Sequence, residues 1–463
     1  MNNLTQVIAA VSTPPGKGGV AIIRMSGDGA FEIADKVFFP ISGKAFSNCT
    51  PRVQIYGHII EDGEKIDDVL ATRFPAPHSY TGEDTVEIGC HGGILVTRTV
   101  LEALLRAGAR PATAGEFTRR AFINGRLSLT EAEAIADLLE AKSHEQLKLS
   151  GEDARSRLSL RVQKIRTALT GLMSSIYARI DYPDEDLGDF NDDEVLRLLY
   201  NIKEDCENLI STYRTGRAIS EGIRTVICGK PNAGKSSLYN LLSGEDAAIV
   251  TSIPGTTRDV LERTMPLGRV MLRLTDTAGI RQRDDMDEVE RIGIERSRRE
   301  IEKCELMFAI FDLSRPFDEE DELILESIKS TNAPKIALLN KSDLEVKFDK
   351  ERIVGFDSVI TISTVENESE VISALSSEVN RLFTDEKIVI GRDAVISSAR
   401  QHAELTRCLD FIRSAIESIE IGYAQDAASS DIERALGAIS SLDGRAVSDD
   451  VVSDIFSKFC VGK

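Results

Sequence analysis

Gly229-Lys-Pro-Asn-Ala-Gly-Lys-Ser-Ser237 decides the reading of this 463-residue chain. It fits G-x-x-x-x-G-K-[ST], a loop whose backbone N–H groups cradle phosphates. The flanks supply the context the motif requires. Ile223-Arg-Thr-Val-Ile-Cys228 reads as a strand before it, and Ser237-Leu-Tyr-Asn-Leu-Leu242 as a helix after it. Glycines allow the tight turn, and a helix N-terminus adds a favourable field for an anion. Asn232, Ala233 and Gly234 then line the turn. Lys235 reaches the β/γ-phosphates, Ser236 places its hydroxyl on Mg²⁺, and Ser237 opens the helix. The pattern implies a nucleoside triphosphate without saying which one.

Three further segments choose the base. The strand-like Val270-Met-Leu-Arg-Leu-Thr275 runs into Asp276-Thr277-Ala278-Gly279. Asp276 is placed beside the metal there, and the Gly279 N–H at the γ-phosphate. Leu306 to Phe311 reads as a strand, and Lys335 to Leu339 as another ending in Asn340-Lys341-Ser342-Asp343. A carboxylate at Asp343 accepts from guanine N1–H and the 2-amino group. Adenine offers neither donor, and an unpaired buried carboxylate is costly. Lys341 lays its stem under the base. Each segment has a plain reading as a turn or a helix cap, but their joint order and spacing point to GTP. The last guanine loop is expected after Val359 to Ile362, at Ser363-Thr-Val365. It departs from the usual Ser-Ala pattern.

Composition bounds the rest. Hydrophobic residues make up 42% and charged residues 29%, which suits several packed cores. No stretch approaches 18 consecutive apolar residues, so no membrane span is expected. No signal or transit segment is evident at the start. Seven scattered cysteines without a C-x-x-C pair read as reduced thiols in a cytoplasmic protein, not as a zinc site. A net charge of −20 argues against whole-molecule binding to nucleic acid and leaves only local basic patches.

The pattern along the chain predicts an α/β plus all-α protein. Residues 1–120 mix strands (Val20 to Met25, Thr85 to Gly89) with a helix (Leu95 to Ala107). From Ser128, which can form a capping box with Glu131, a helical run extends to Ile180 with few breakers. Asp181 to Asp186 interrupts it. Residues 121–221 thus form a first helical part, and 222–384 alternate strand and helix. Residues 385–463 return to helix. The simplest topology inserts a Ras-like P-loop G domain into a helical domain; two separate helical domains are the alternative. Gly16-Lys-Gly-Gly19 is read as a turn, because a strand and not a helix follows it.

Ile280 stands where Ras-like switches carry the water-orienting glutamine. Asn-Ala-Gly-Lys-Ser-Ser, Pro-Gly-Thr-Thr-Arg-Asp and Asp-Thr-Ala-Gly-Ile-Arg together resemble the potassium-activated GTPases. That resemblance implies K⁺ held by Asn232 with Thr251, Ile253 and Thr256, and Mg²⁺ held by Ser236 and Thr257. Ser252, Pro254 and Gly255 complete the switch loop around GTP, with Pro254 replacing the usual alanine.

The flanks narrow the family. Ser12 to Val20, Ser79-Tyr-Thr-Gly-Glu-Asp84, His91-Gly-Gly93, Gly115-Glu-Phe-Thr-Arg-Arg-Ala-Phe122 and the terminal Phe459-Cys-Val-Gly-Lys463 resemble the MnmE (TrmE) family of tRNA modification GTPases along the whole chain. The resemblance implies that Glu290 positions the attacking water in place of the glutamine. It implies an N-terminal domain that dimerises into a homodimer. That domain binds a tetrahydrofolate (5,10-methylene or 5-formyl) through Arg24, Glu87, Arg126 and Lys463. Arg24 and Arg126 would meet glutamyl carboxylates, and Glu87 the pterin. Cys460 becomes a catalytic candidate on the tail. The implied partners are tRNA and the FAD-dependent protein MnmG (GidA) in a heterotetramer. The implied product is a carboxymethylaminomethyl-type group on the wobble uridine. Two rivals stay open: a ribosome-assembly switch, and a folate-dependent transferase with a vestigial G domain.

Overall fold

The computed structural model describes residues 6–181, 191–243, 262–275, 302–328, 331–423, 425–445 and 447–463. The chain divides into two compact units, Met1–Ala136 with Ile439–Lys463, and Asp137–Ala438.

The first unit is built on seven strands: β1 (Ile8–Val11), β2 (Val20–Ser26), β3 (Phe38–Pro40), β4 (Ile55–Glu61), β5 (Glu64–Phe74), β6 (Thr85–His91) and β7 (Arg110–Pro111). They lie in the order β3-β4-β5-β6-β2-β1-β7. Neighbours are antiparallel except β1 and β7, which are parallel. Side chains alternate between faces along a strand. Ala21, Ile23 and Met25 of β2 therefore enter a core with Ile59, Val69, Ala71, Val86 and Ile88. The helices Ala30–Val37 and Ile94–Arg106 close that core with Ile33, Ala34, Val37, Val100, Ala103 and Leu104. The intervening residues of β2 and β6, Arg24 and Glu87 among them, belong to the opposite face.

Residues from the far end of the chain complete this unit. The helix Asp449–Ser457 packs Val452, Ile455 and Phe456 with Phe459 against Leu129 and Ala132. Gly115 and Gly462 permit the closest approaches. A Cβ on Gly115 would lie 2.3 Å from the Phe456 carbonyl oxygen, and one on Gly462 the same 2.3 Å from that of Val11.

The second unit carries six strands: β8 (Ile223–Gly229), β9 (Glu262–Leu267), β10 (Val270–Thr275), β11 (Leu306–Asp312), β12 (Lys335–Asn340) and β13 (Ser358–Thr361). Their order is β13-β12-β11-β8-β10-β9. All pairs are parallel apart from the antiparallel edge strand β9. β8 is where the order reverses: β11, β12 and β13 follow outward on one side of it, and β10 and then the edge strand β9 lie on the other. In open α/β sheets such a reversal leaves a crevice at the carboxyl ends of the strands. The strand-buried residues read as continuous apolar runs, such as Leu306 to Phe311, because helices cover both faces.

Helices from before and after this sheet pack together: Asp192–Ser211 lies against Ala399–Glu420 and against Glu152–Asp181. The sheet is thus inserted between two parts of one helical bundle. Arg413 with Glu207 (2.9 Å) and Tyr200 Oη with Glu420 (2.6 Å) join the parts at the rim.

The expected helical run to Ile180 is divided into Leu129–Glu140, His144–Ser150 and Glu152–Asp181. The causes are local. Ser143 caps the second helix, its hydroxyl accepting from Gln146 N at 3.2 Å, and Gly151 takes extended ψ between the second and third. The Ser128–Glu131 capping box is formed: Ser128 N donates to Glu131 Oε2 (2.8 Å) and Glu131 N to Ser128 Oγ (3.2 Å). Among the described residues, no helix is long and apolar enough to cross a membrane.

Candidate functional site

β8 delivers the chain to Gly229, where the loop begins. A Cβ there would lie 2.6 Å from the Ile310 carbonyl oxygen of the neighbouring strand, so only glycine lets the two backbones pass. Asn232 adopts φ 63°, a left-handed conformation that asparagine tolerates better than most residues. Gly234 follows at φ 111°. Ala233 is buried, and Leu238 and Leu242 of the helix Lys235–Ser243 anchor it in the core. Lys235 folds back over the loop, its Nζ donating to the carbonyl oxygens of Gly229 and Lys230, both at 2.7 Å. Its charge is thereby held over the loop. Ser236 and Ser237 are exposed on the first helical turn, as is Asn232 on the loop. Hard cations take oxygen ligands, so these donors fit the expected metals.

An ion cluster fixes the loop from behind. Lys230 Nζ pairs with Asp318 and, at 2.6 Å, with Asp321. Asp321 is almost fully buried at the start of the helix Glu319–Ile328. Burial works against the Lys230 charge, but the two carboxylates outweigh it and raise its pKa.

The segments expected to read the base meet this loop directly. Asn340, 1% exposed at the end of β12, donates from Nδ2 to Ala233 O (2.8 Å) and accepts from Thr364 N at Oδ1 (3.1 Å). One side chain thus joins the phosphate loop to the last guanine loop. Lys341 turns through φ 65°, and its Nζ binds Asp312 Oδ2 at 2.6 Å. Burial opposes ionisation of Asp312, but Lys341 and Ser314 prevail and hold its carboxyl below the usual range. Asp343 Oδ1 accepts from Ser363 Oγ at 2.7 Å. Ser363 is buried, and its Oγ in turn accepts from Glu366 N at 3.2 Å. Ser363, which keeps the serine of the usual pattern while Thr364 departs from it, thus sets its hydroxyl on the Asp343 carboxylate.

Thr251, Ser252, Ile253, Pro254, Gly255, Thr256, Thr257, Asp276, Thr277, Ala278, Gly279, Ile280 and Glu290 lie outside the described residues.

The first unit gathers a second constellation. Arg24 and Glu87 are register partners on β2 and β6, and Glu87 Oε1 accepts from both Nε (2.9 Å) and Nη2 (2.7 Å) of Arg24. The two were expected to meet separate parts of a ligand; here they bind each other. The Arg24 guanidinium also lies over the rings of Tyr80 (5.3 Å) and Phe117 (5.8 Å). Phe117 N donates to the carbonyl oxygen of Lys463 (3.2 Å). Ala114 bridges Val461, Gly115 N donates to Cys460 O, and Ser12 Oγ donates to Gly462 O at 3.0 Å. The tail is held by its backbone, which brings Lys463 to the Phe117 side of Arg24. Cys460 is the exposed cysteine among the seven, and it borders an apolar cavity of about 660 Å³ between Pro14, Ile94 and Val461. Arg126 is exposed, its stem against Gly82.

The motifs around this constellation do structural work. Arg120, 1% exposed, binds Glu83 (2.9 Å), Glu116 (3.2 Å) and the Gln6 carbonyl (2.8 Å). Burial would raise the Glu116 carboxyl, but Arg110, the Thr113 N–H and Arg120 bring it down to about 2. Tyr80 Oη and Thr118 Oγ1 lie 3.0 Å apart. The Ser79–Asp84 and Gly115–Phe122 segments are thus two halves of one buried ionic joint.

The family profile described as the GTP-binding protein TrmE N-terminus matches residues 7–126, and that of the MnmE helical domain matches 129–460. The curated tRNA modification GTPase MnmE of Thermotoga maritima is 42% identical over 98% of this chain and 99% of its own length. The chain belongs to the MnmE (TrmE) family. The tRNA modification GTPase MnmE of Clostridioides difficile is 36% identical over 99% of this chain and 100% of that protein. A solved Aquifex aeolicus Era variant bound to GDP and aluminium fluoride aligns with 41% of this chain and 66% of its own, at 21% identity and a TM-score of 0.26. Membership of the MnmE family agrees with the fold: an N-terminal TrmE domain, a helical domain and a P-loop G domain.

Sequence reasoning missed Lys230, Asp312, Asp318, Asp321 and Thr364. Lys230 occupies a variable position of the loop motif, and its two carboxylate partners lie about 90 residues away. No local pattern signals that pairing. Asp312 was within reach, since a carboxylate at a strand end beside the guanine strand is a recognisable arrangement.

Proposed function

We propose that this MnmE-family GTP hydrolase acts on tRNA. With an FAD-dependent partner protein, MnmG, it forms the carboxymethylaminomethyl-type group at carbon 5 of the wobble uridine. The observation that carries the reading is the 42% identity over nearly the full length of tRNA modification GTPases. The phosphate loop and the Asp343–Ser363 pair of this chain are consistent with it.

In the G domain, Lys235 and the loop N–H groups bind the phosphates, Asp343 reads guanine, and Asn232 and Ser236 offer oxygens to K⁺ and Mg²⁺. Thr251, Ile253, Thr256 and Thr257 are the further metal ligands, and Glu290 orients the water. Bound potassium supplies the positive charge that an arginine finger provides in other GTPases.

In the N-terminal domain, Arg24, Glu87, Arg126 and Lys463 hold a tetrahydrofolate, which supplies the carbon. Arg and Glu side chains that already form a charge-assisted pair are pre-oriented for a ligand bearing both carboxylates and donor N–H groups. Domain limits of 1–120, 121–221, 222–384 and 385–463, a homodimer and a cytoplasmic location belong to the same reading. Cys460 sits at the mouth of its cavity as the candidate for covalent chemistry.

Nucleoside analysis of tRNA from cells lacking this protein tests the reading. The modified wobble uridine should disappear; its persistence sinks the tRNA role. The hydrolysis mechanism is separately exposed. GTP turnover should be at least tenfold faster in K⁺ than in Na⁺ at equal ionic strength, and Glu290→Ala should keep GTP affinity while losing most turnover. Equal rates in the two salts would remove Asn232 as a potassium ligand.

A further inference from the structure

The charge along this acidic chain is unevenly spread. Between Ala154 and Ile180 stand six cations, Arg155, Arg157, Arg161, Lys164, Arg166 and Arg179, and no aspartate or glutamate. The whole segment lies in one helix, Glu152–Asp181. Its apolar stripe, Leu158, Val162, Ile165, Leu169, Leu172 and Ile176, is buried. Helical geometry then places Arg157, Arg161 and Lys164, spaced i, i+4, i+7, on one outward face over about 10 Å of axis. All three are exposed, with Arg161 at 55% and Lys164 at 63%.

We propose that this face is a docking track for the phosphate backbone of RNA. The proposal rests on the tRNA reading above and adds where the polyanion lies. Three observations carry it. First, a single carboxylate serves two of the cations: Asp205 of the neighbouring helix accepts from Arg161 (3.3 Å) and Lys164 (2.8 Å). The cluster keeps a net positive charge while Asp205 restrains both side chains on the surface.

Second, between Lys164 and Tyr177 the exposed positions, Thr167, Thr170, Gly171 and Ser174, are all short. A Cβ on Gly171 would meet nothing within 4 Å. A backbone can approach the helix there without displacing a side chain.

Third, the large apolar groups exposed on this helix among the described residues are Leu160, at 63%, and Tyr177, at 43%, which stand near opposite ends of the basic stretch and form no common patch. A protein–protein interface would ordinarily present a dry apolar centre. Repeated charge without an apolar centre suits a polyanion instead.

The net charge of −20 does not oppose this locally. At physiological ionic strength the screening length is about 8 Å, so distant carboxylates are largely screened while contacting cations are not. Each cation that neutralises a phosphate releases a counterion, which ties affinity to salt.

The test uses the full-length nucleotide-free protein and an unmodified substrate tRNA transcript, with Kd measured over a KCl series. The variant carrying Arg157→Gln, Arg161→Gln and Lys164→Gln should bind at least tenfold more weakly at low salt. Its plot of log K against log [KCl] should be shallower by about 2. GTP turnover without tRNA should be unchanged, since none of the three touches the nucleotide loops. Asp205→Asn should tighten binding, which loss of folding cannot mimic. Wild-type binding with an unaltered slope in the triple variant overturns the track and leaves the tRNA role standing. Loss of association with the purified FAD partner, with tRNA binding intact, overturns it in favour of a protein interface. Failure of the wild-type protein to bind tRNA overturns both.

Discussion

Gly234→Ala should abolish nucleotide binding while leaving both sheets folded. Gly234 sits at φ 111°, which an L side chain adopts only under strain, and its new Cβ would lie 2.0 Å from Asn340 Nδ2. Asn340 cannot simply swing away. It is 1% exposed, and its amide both donates to Ala233 O and accepts from Thr364 N. Moving it breaks two buried hydrogen bonds and leaves their partners desolvated, at about 1–3 kcal/mol each. The backbone strain adds roughly 1–2 kcal/mol. A total of about 4 kcal/mol corresponds to roughly three decades of affinity. The phosphate loop and the loop following β13 would loosen together, because one side chain holds both. Titration with a fluorescent GDP analogue should show at least a hundredfold loss, with the far-ultraviolet circular dichroism retained. A loss under threefold would mean that Asn340 repositions freely and does not couple the loops.

That coupling was invisible in the sequence, whereas its components were not. The phosphate loop and Asn340-Lys-Ser-Asp343 are legible because phosphate and guanine each demand particular residues at a strand end, so chemistry fixes the spelling. Nothing in the spelling says that Asn340 and Ala233 touch across 107 residues. The same holds for Lys230 with Asp318 and Asp321: ion pairs leave no periodicity. Strand positions were readable from apolar runs, as at Leu306 to Phe311. The division of the long helical run was readable only in hindsight, from Ser143 three residues before Gln146 and from Gly151. In the first unit, the Ser79–Asp84 and Gly115–Phe122 segments stood out as family motifs without a stated cause. The buried Glu83–Arg120–Glu116 joint provides one. The pairing of Arg24 with Glu87 depends on the register of β2 against β6, which neither strand's pattern determines.

Asp343→Asn should exchange guanine for xanthine. The carboxylate of Asp343 only accepts hydrogen bonds, and Ser363 Oγ already donates to its Oδ1. Guanine presents two donors to it, N1–H and the 2-amino group. With asparagine, one of the two facing atoms becomes an N–H₂ donor set against the guanine amino donor, and a buried site that leaves such groups unpaired rejects its ligand by several decades. Xanthine keeps N1–H but carries a carbonyl at position 2, so the asparagine oxygen accepts from N1–H while its amide donates to that carbonyl. The Ser363 hydroxyl can hold either side chain, since it both donates and accepts. The expected result is a loss of GTP affinity of at least a hundredfold, with XTP bound by the variant at least tenfold more tightly than GTP. Turnover of XTP should then approach that of GTP in the wild-type protein, because Lys235, Ser236 and the loop N–H groups are untouched. Should GTP affinity fall with no gain for XTP, Asp343 would be acting through Ser363 to order the loop and not by reading the base. That outcome would transfer the guanine preference to backbone groups between Ser363 and Glu366, whose N–H groups converge on the Ser363 hydroxyl.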